Sequence, residues 1–295
     1  MSPGTILWRP PEPVLWSSVG GGIQELGRLA NRFLADVDGR SWSVVWCAGA
    51  GVIDASSESM GVELTALRDT LAALSSAAAG DEGTFFFASS AGGVYAGVGE
   101  APYDESSQVE PLTPYGRAKL DAECLVAEWS QDTGTPALIG RIANLYGPGQ
   151  NMNKAQGLIS QVCRSYLVGN PLVIYVSLDT LRDYLFAPDC ASMIVEGLSR
   201  LREEAPKASA TVVTKILASQ RAVTVGAVLG EIRRIFKRRP QIVIGSSPMT
   251  AAQPRNLSLQ SRVWPDLDRR TLTPFPVGVA TTYADLKRRL QDAAL

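Results

Sequence analysis

The chain has 295 residues, 45% of them hydrophobic and 19% charged, with a formal net charge of −1. That composition is globular, with enough length for one large or two smaller domains, and neither net charge nor any long basic tract supplies a field for nucleic acid or an anionic membrane. Histidine is absent, which excludes a Ser-His-Asp hydrolase, a Cys-His protease and every metal site that needs imidazole.

The cysteines, Cys47, Cys124, Cys163 and Cys190, are scattered without a CxxC pair. They read as reduced, mostly buried thiols rather than disulfides or a zinc site. No window reaches the ~18 uninterrupted apolar residues of a membrane span, and the start, MSPGTILWRPPEP, lacks the charged and apolar regions of a signal peptide. The expected location is cytoplasmic.

Taken from the beginning, Thr5 to Trp8 reads as a short strand stopped by Arg9-Pro10-Pro11. Val14 to Val19 reads as a strand, Gly20 to Gly22 as either a phosphate turn or a plain connecting loop, and Ile23 to about Ala35 as a helix. Three adjacent glycines lack the spacing of a dinucleotide fingerprint, so they are not assigned to a cofactor. Trp42 to Trp46 is the next strand, ending in the small residues Cys47-Ala48-Gly49-Ala50-Gly51, which allow close backbone approach or simply a tight turn. Glu58 to Ala79 is a long helix whose Leu64, Leu67, Leu71 and Leu74 share one side and pack on the sheet.

The stretch from Phe85 to Lys119 organises the rest. Phe85, Phe86 and Phe87 suit a strand covered on both faces, and the run breaks at Ser89, Ser90 and the Gly92-Gly93 pair. Thr113 followed by Pro114 is a hydroxyl cap with proline at the first helical position, opening an amphipathic helix to about Trp129. Tyr115 and Lys119 then lie one turn apart on one face, where an ammonium can stabilise a phenolate and make the tyrosine a usable acid or base near neutral pH. A serine hydroxyl could orient the reacting oxygen.

Beyond the helix come Arg141-Ile142-Ala143-Asn144-Leu145-Tyr146-Gly147-Pro148-Gly149-Gln150, an amphipathic helix over Gly157 to Val168, and a strand over Leu172 to Val176. Arg182-Asp183-Tyr184-Leu185-Phe186-Ala187-Pro188-Asp189 follows, then a strand over Thr211 to Leu217 and a helix capped by Thr224. The basic residues Arg233, Arg234, Lys237, Arg238 and Arg239 at that helix's end complement its dipole or form a phosphate patch. Gln241 to Ile244 is a strand, and the proline-rich turn Leu272 to Gly278 leads into a closing helix.

The serine pair, Val94-Tyr95, Tyr115-Gly116-Arg117-Ala118-Lys119, the Arg141 to Gln150 segment and the Arg182 to Asp189 segment together resemble the extended short-chain dehydrogenase/reductases, the NAD-dependent epimerase/dehydratase family. The resemblance spans nearly the whole chain except its start. It implies an α/β fold, a Rossmann-type doubly wound parallel sheet that is N-terminally incomplete, with a smaller C-terminal α/β substrate lobe. The domains expected are 1–150, which binds NAD(P), and 151–295, mainly the substrate lobe interleaved with the last strands of the sheet.

The same resemblance implies the roles. Ser90, Tyr115 and Lys119 are the expected catalytic residues. The cofactor, NAD or NADP, is expected against Arg9, Ala48, Gly49, Ala50, Ser89, Tyr115 and Lys119, and the substrate against Ser90, Asn144 and Arg182. Arg9 stands where an arginine favours a 2′-phosphate or else faces solvent; Arg182 pairs with a diphosphate or forms an ion pair with Asp183 or Asp189; Asn144 contacts substrate or bonds backbone. The substrate is a sugar, in many relatives nucleotide-linked, and a homodimer through the Tyr115 to Trp129 helix is the family pattern. Ala91 and Gly92 stand where the family's 4,6-dehydratases carry Asp-Glu, which favours epimerisation or carbonyl and alcohol interconversion over dehydration.

The family's opening strand and G-x-x-G-x-x-G turn are not found at the start of this sequence. By that resemblance Thr5 to Trp8 fits the family's second strand, as though about 25 to 30 residues of a βαβ unit had been removed. In the 3-2-1-4-5-6 order that strand is central, and each ladder group left unpaired in a dry interior costs roughly 1 to 3 kcal/mol. Three readings stay open: an upstream start, a cofactor-free binding or scaffold relative, or a replacement segment.

Overall fold

The computed structural model describes residues 5–11, 21–49, 57–75, 82–97, 99–152, 157–205, 210–237, 241–245 and 254–292. The chain forms two compact units, Met1–Ser89 with Thr113–Gly140 and Ile194–Thr214, and Ser90–Leu112 with Arg141–Met193 and Lys215–Leu295. Among the described residues the elements of the first stretch are α1 (Gly21–Val37), β1 (Trp42–Trp46), α2 (Ser57–Leu74) and β2 (Gly83–Ser90). Then come α3 (Ala91–Val94), α4 (Pro114–Thr133), β3 (Ala137–Ile142), β4 (Asn144–Tyr146), α5 (Leu158–Val168) and β5 (Leu172–Ile174). The remainder holds β6 (Leu181–Arg182), β7 (Tyr184–Phe186), α6 (Ala187–Glu204), β8 (Val212–Leu217), β9 (Val223–Thr224), α7 (Val225–Phe236), β10 (Ile242–Ile244), β11 (Asn256–Leu257) and α8 (Phe275–Asp292).

The architecture is α/β, with a Rossmann-type parallel sheet in the strand order β1-β2-β3-β8. β1 and β2 are parallel, in register from Trp42↔Gly83 to Trp46↔Phe87. Phe85, Phe86 and Phe87 are each at most 2% exposed, so an unbroken apolar run does mark a strand covered on both faces. On one side Phe85 and Phe87 join Leu67, Leu71 and Leu74 of α2 and Ala122, Val126 and Trp129 of α4, the Phe85 and Trp129 rings lying 5.4 Å apart. A buried aromatic of this size contributes roughly 1.5–3 kcal/mol of transfer free energy.

The expected strand at Thr5 to Trp8 is not one. Those residues have no regular structure, and Ile6 and Leu7 are 78% and 61% exposed. A strand is held by its ladder, and this segment is not part of any ladder among the described residues; Trp8 is fixed instead by its side chain, edge-on to Phe33 and donating to Asp36 Oδ2 at 2.7 Å. The expected strand Val14 to Val19 and the residue Gly20 lie outside the described residues. Gly21 and Gly22 are the first residues of α1, which covers the predicted helix.

In the second unit, α5, α7 and α8 pack with β4, β5 and β7 around Tyr146, Val162, Ile174, Phe186, Ile232 and Val279. Gly278 is required there, because a Cβ on it would lie 2.6 Å from Tyr146 Oη. The short ladders β10-β5, β11-β6-β9 and β4-β7 complete the unit. Lys215, at 1% exposure, is buried in it: Nζ donates to Ser261 Oγ, Val263 O and Asp268 Oδ2 at 2.7–2.8 Å.

Candidate active site

In the first unit, α4 carries the candidate acid–base pair. Thr113, extended at φ −116° and ψ 157°, caps the helix by accepting from Gly116 N–H through Oγ1 at 3.1 Å, and Pro114 follows. The helix closes on Gly134 at φ 72°, a left-handed position suited to glycine. This frame sets Tyr115 and Lys119, both half-buried, on one face. Lys119 Nζ lies 5.8 Å from the centre of the Tyr115 ring and 5.1 Å from that of Phe87, and donates to Ala88 O at 3.0 Å.

Ser89, next in β2, is buried, and its Oγ donates to Glu123 Oε1 at 2.5 Å. Its hydroxyl thus ties strand to helix, and Glu123 is a participant that the sequence reasoning passed over. The signal was present: Glu123 stands one turn beyond Lys119 and two beyond Tyr115 on the same face. At the end of β1, Cys47 is exposed as a residue while its sulfur is crowded by protein; that desolvation raises the thiol pKa, and the Lys119 ammonium pulls it back down. The β1 end, where Ala48 and Gly49 were expected to meet a cofactor, is therefore within electrostatic reach of Lys119. Gly49 adopts φ +147°, which favours glycine, and a Cβ there would sit 2.9 Å from Glu63 Oε2. Ala50 lies outside the described residues. Arg9 is exposed in an irregular segment.

In the second unit, Ser90 caps the short α3, its Oγ accepting from Gly93 N–H at 3.2 Å, so the hydroxyl keeps its hydrogen to donate. Tyr95 is fully buried; its hydroxyl donates to Asp104 O and accepts from Arg141 Nη1 at 2.8 Å, and its ring stacks on Tyr103. Asn144 Nδ2 donates to Asp183 O at 3.1 Å, the backbone-bonding alternative. Arg182 is buried, and Nη1 donates to the carbonyls of Leu181 and Pro254, both at 2.8 Å; burial lowers its pKa. The Asp183 carboxylate accepts from Ser219 and Arg221 N–H, while its near-complete burial raises its pKa.

The family model for the NAD dependent epimerase/dehydratase family matches residues 28–211. The chain belongs to this family. Among curated proteins it is similar to an uncharacterized UDP-glucose epimerase of Bacillus subtilis (strain 168), 32% identical over 117 residues, which are 40% of this chain and 35% of that protein. It is similar also to the dTDP-glucose 4,6-dehydratase of Salmonella typhimurium, 34% identical over 89 residues, 30% of this chain and 24% of that one. The matched segments span about a third or less of those relatives' lengths. Among solved structures, the UDP-glucose 4-epimerase of Thermus thermophilus, in complex with NAD, is similar with a TM-score of 0.73 at 19% identity, covering 88% of this chain and 82% of that one. That likeness establishes the shared fold.

The residues on the tyrosine-lysine side are chemically suited to a dinucleotide. A phenol and an ammonium share a half-buried helix face beside the small residues of a strand end. Among the described residues no helix is long and apolar enough to cross a membrane.

Proposed function

We propose that this chain acts as an NAD(P)-dependent epimerase or reductase on a hydroxyl or carbonyl of a sugar, in its nucleotide-linked form. The observation that carries the reading is the Tyr115-Lys119 pair: one helix turn apart, with the ammonium held against Ala88 O at 3.0 Å and 5.8 Å from the phenol ring. The nucleotide-sugar part is supported by the relatives, whose names specify UDP-glucose and dTDP-glucose. Ala91 and Gly92 after Ser90 favour epimerisation or simple redox interconversion over dehydration.

In this reading Tyr115 removes the proton from the reacting hydroxyl, or returns it to the carbonyl oxygen. The positive charge of Lys119 favours the phenolate over the phenol. Ser90 keeps a hydrogen that it can donate to a substrate oxygen. Asn144 and Arg182 are the substrate contacts in this reading, and Arg182 also bonds the carbonyls of Leu181 and Pro254. Ala48 and Gly49 offer the cofactor a surface without bulky side chains, and Lys119 a donor for its ribose. The bound nicotinamide supplies the hydride acceptor and donor.

The experiment is titration of the chain with NAD and NADP separately by calorimetry, followed by incubation with UDP-glucose and analysis of the sugar stereochemistry by proton NMR. Micromolar binding of one dinucleotide and appearance of an epimerised or oxidised sugar is the expected result. No binding of either dinucleotide sinks the reading.

A further inference from the structure

Tyr115, Lys119 and Glu123 recur at one-turn intervals along α4, and the last two reach adjacent residues of β2. The two contacts have opposite sense. Lys119 Nζ donates to Ala88 O at 3.0 Å, and Ser89 Oγ donates to Glu123 Oε1 at 2.5 Å. Ser89 and Glu123 are only 4% and 5% exposed, so water is a poor substitute for either partner. The Ala88-Ser89 segment is thus gripped from both sides by a single helix.

We propose that Glu123 is a positioning residue for the Lys119 ammonium: by holding Ser89 it fixes the Ala88 carbonyl on which Nζ rests. The groups against Nζ include the Phe87 ring and Ala88 carbonyl of β2 and the Tyr115 ring of its own helix, and its charge reaches the Cys47 thiol at the end of β1. Without the Ser89-Glu123 bond the strand end is free to shift, and the ammonium follows or leaves it. The catalytic meaning rests on the proposed function above; the placement of Lys119 does not.

Cys47 supplies a readout that needs neither cofactor nor substrate. Cys163 and Cys190 are buried, and Cys124 is the other exposed thiol. The full chain carrying Cys124→Ser is alkylated with iodoacetamide across a pH series, and the midpoint of the rate profile reports the Cys47 thiolate. Lys119→Met is expected to move that midpoint upward by roughly half a unit, since the lost positive charge no longer favours thiolate. Ser89→Ala and Glu123→Leu are expected to move it in the same direction. Glu123→Gln, whose amide carbonyl still accepts the serine hydroxyl, restores the parent profile.

The proposal is overturned if Ser89→Ala lowers the denaturation midpoint but leaves the Cys47 profile in place, because the bond would then be structural alone. It is equally overturned if Lys119→Met leaves the profile in place. Should Glu123→Leu fail to fold, Ser89→Ala decides, since it deletes a single hydroxyl. A parent chain that shows the thiol behaviour but binds no dinucleotide counts against the proposed function and not against the positioning.

Discussion

The indole of Trp42 lies directly over Gly83, its cross-strand neighbour: a Cβ on Gly83 would stand 2.3 Å from Trp42 Cζ2. The ring fills the space that a side chain on β2 would occupy, and it stacks edge-on with Phe33 of α1 on its other flank. Gly83→Ala therefore forces a bulky buried ring or the strand to move. We expect destabilisation of about 1–3 kcal/mol, read as a lower urea midpoint with an unchanged slope. A midpoint equal to that of the parent would show that Trp42 has another rotamer available.

Tyr115→Phe removes the ionisable oxygen and nothing else. Dinucleotide binding is expected to stay within a few-fold of the parent, while turnover of the nucleotide sugar falls roughly 10²–10⁴-fold. Lys119→Met is expected to shift the basic rise of the kcat profile to higher pH, because the phenolate loses the charge that favours it. Retained turnover in Tyr115→Phe would remove Tyr115 from the chemistry.

Lys215 is almost fully buried and bonded to Asp268, whose Oδ1 has no hydrogen-bond partner among the described residues. Removing one member of a buried pair typically costs about 3–5 kcal/mol, and Lys215→Met should show a loss of that order in chemical denaturation. Burial already raises the Asp268 pKa and Lys215 opposes that rise. In the variant the carboxyl is pushed further up, so the penalty on the fold is complete above the folded pKa and fades as pH falls from there to the unfolded value near 3.8. The deficit should shrink as pH is lowered toward about 4; a deficit independent of pH would mean that packing alone was lost.

Asp285 on α8 accepts from Gly149 N–H at 2.9 Å and from Arg288 Nη2 at 2.8 Å, and its pKa is lowered, chiefly by the Gly149 bond. A carboxyl with a depressed folded pKa stabilises fully above its unfolded value near 3.8, and the contribution fades as pH falls through the folded value. Asp285→Ala should cost about 1–2 kcal/mol at about pH 7 and less at about pH 2.5, measured by denaturant titration at both. Equal cost at both would assign the effect to helix packing.

What the sequence disclosed follows from the range over which each feature is encoded. The Phe85 to Phe87 strand, the Thr113-Pro114 helix start and the spacing of Tyr115 and Lys119 are written within a few neighbouring residues, and the structure carries them at those places. Thr5 to Trp8 has strand-like residues but meets no ladder partner among the described residues, a condition no local pattern reveals. Lys215 reads from sequence as a surface lysine in a strand, because Asp268 and Ser261, which make its burial tolerable, are far along the chain. Glu123 was legible in its periodicity, but its partner Ser89 sits on another element.

The division into two units also separates the chain's ultraviolet chromophores. Of the tryptophans described, Trp8, Trp42, Trp46 and Trp129 fall in the first unit and Trp264 in the second. The eight tyrosines divide the other way: Tyr115 alone is in the first unit, and Tyr95, Tyr103, Tyr146, Tyr166, Tyr175, Tyr184 and Tyr283 are in the second. Indole emission during unfolding thus watches chiefly one unit, and tyrosine difference absorbance the other. Coincident curves would show that the units melt together, and separated curves would resolve their stabilities in one unlabelled sample.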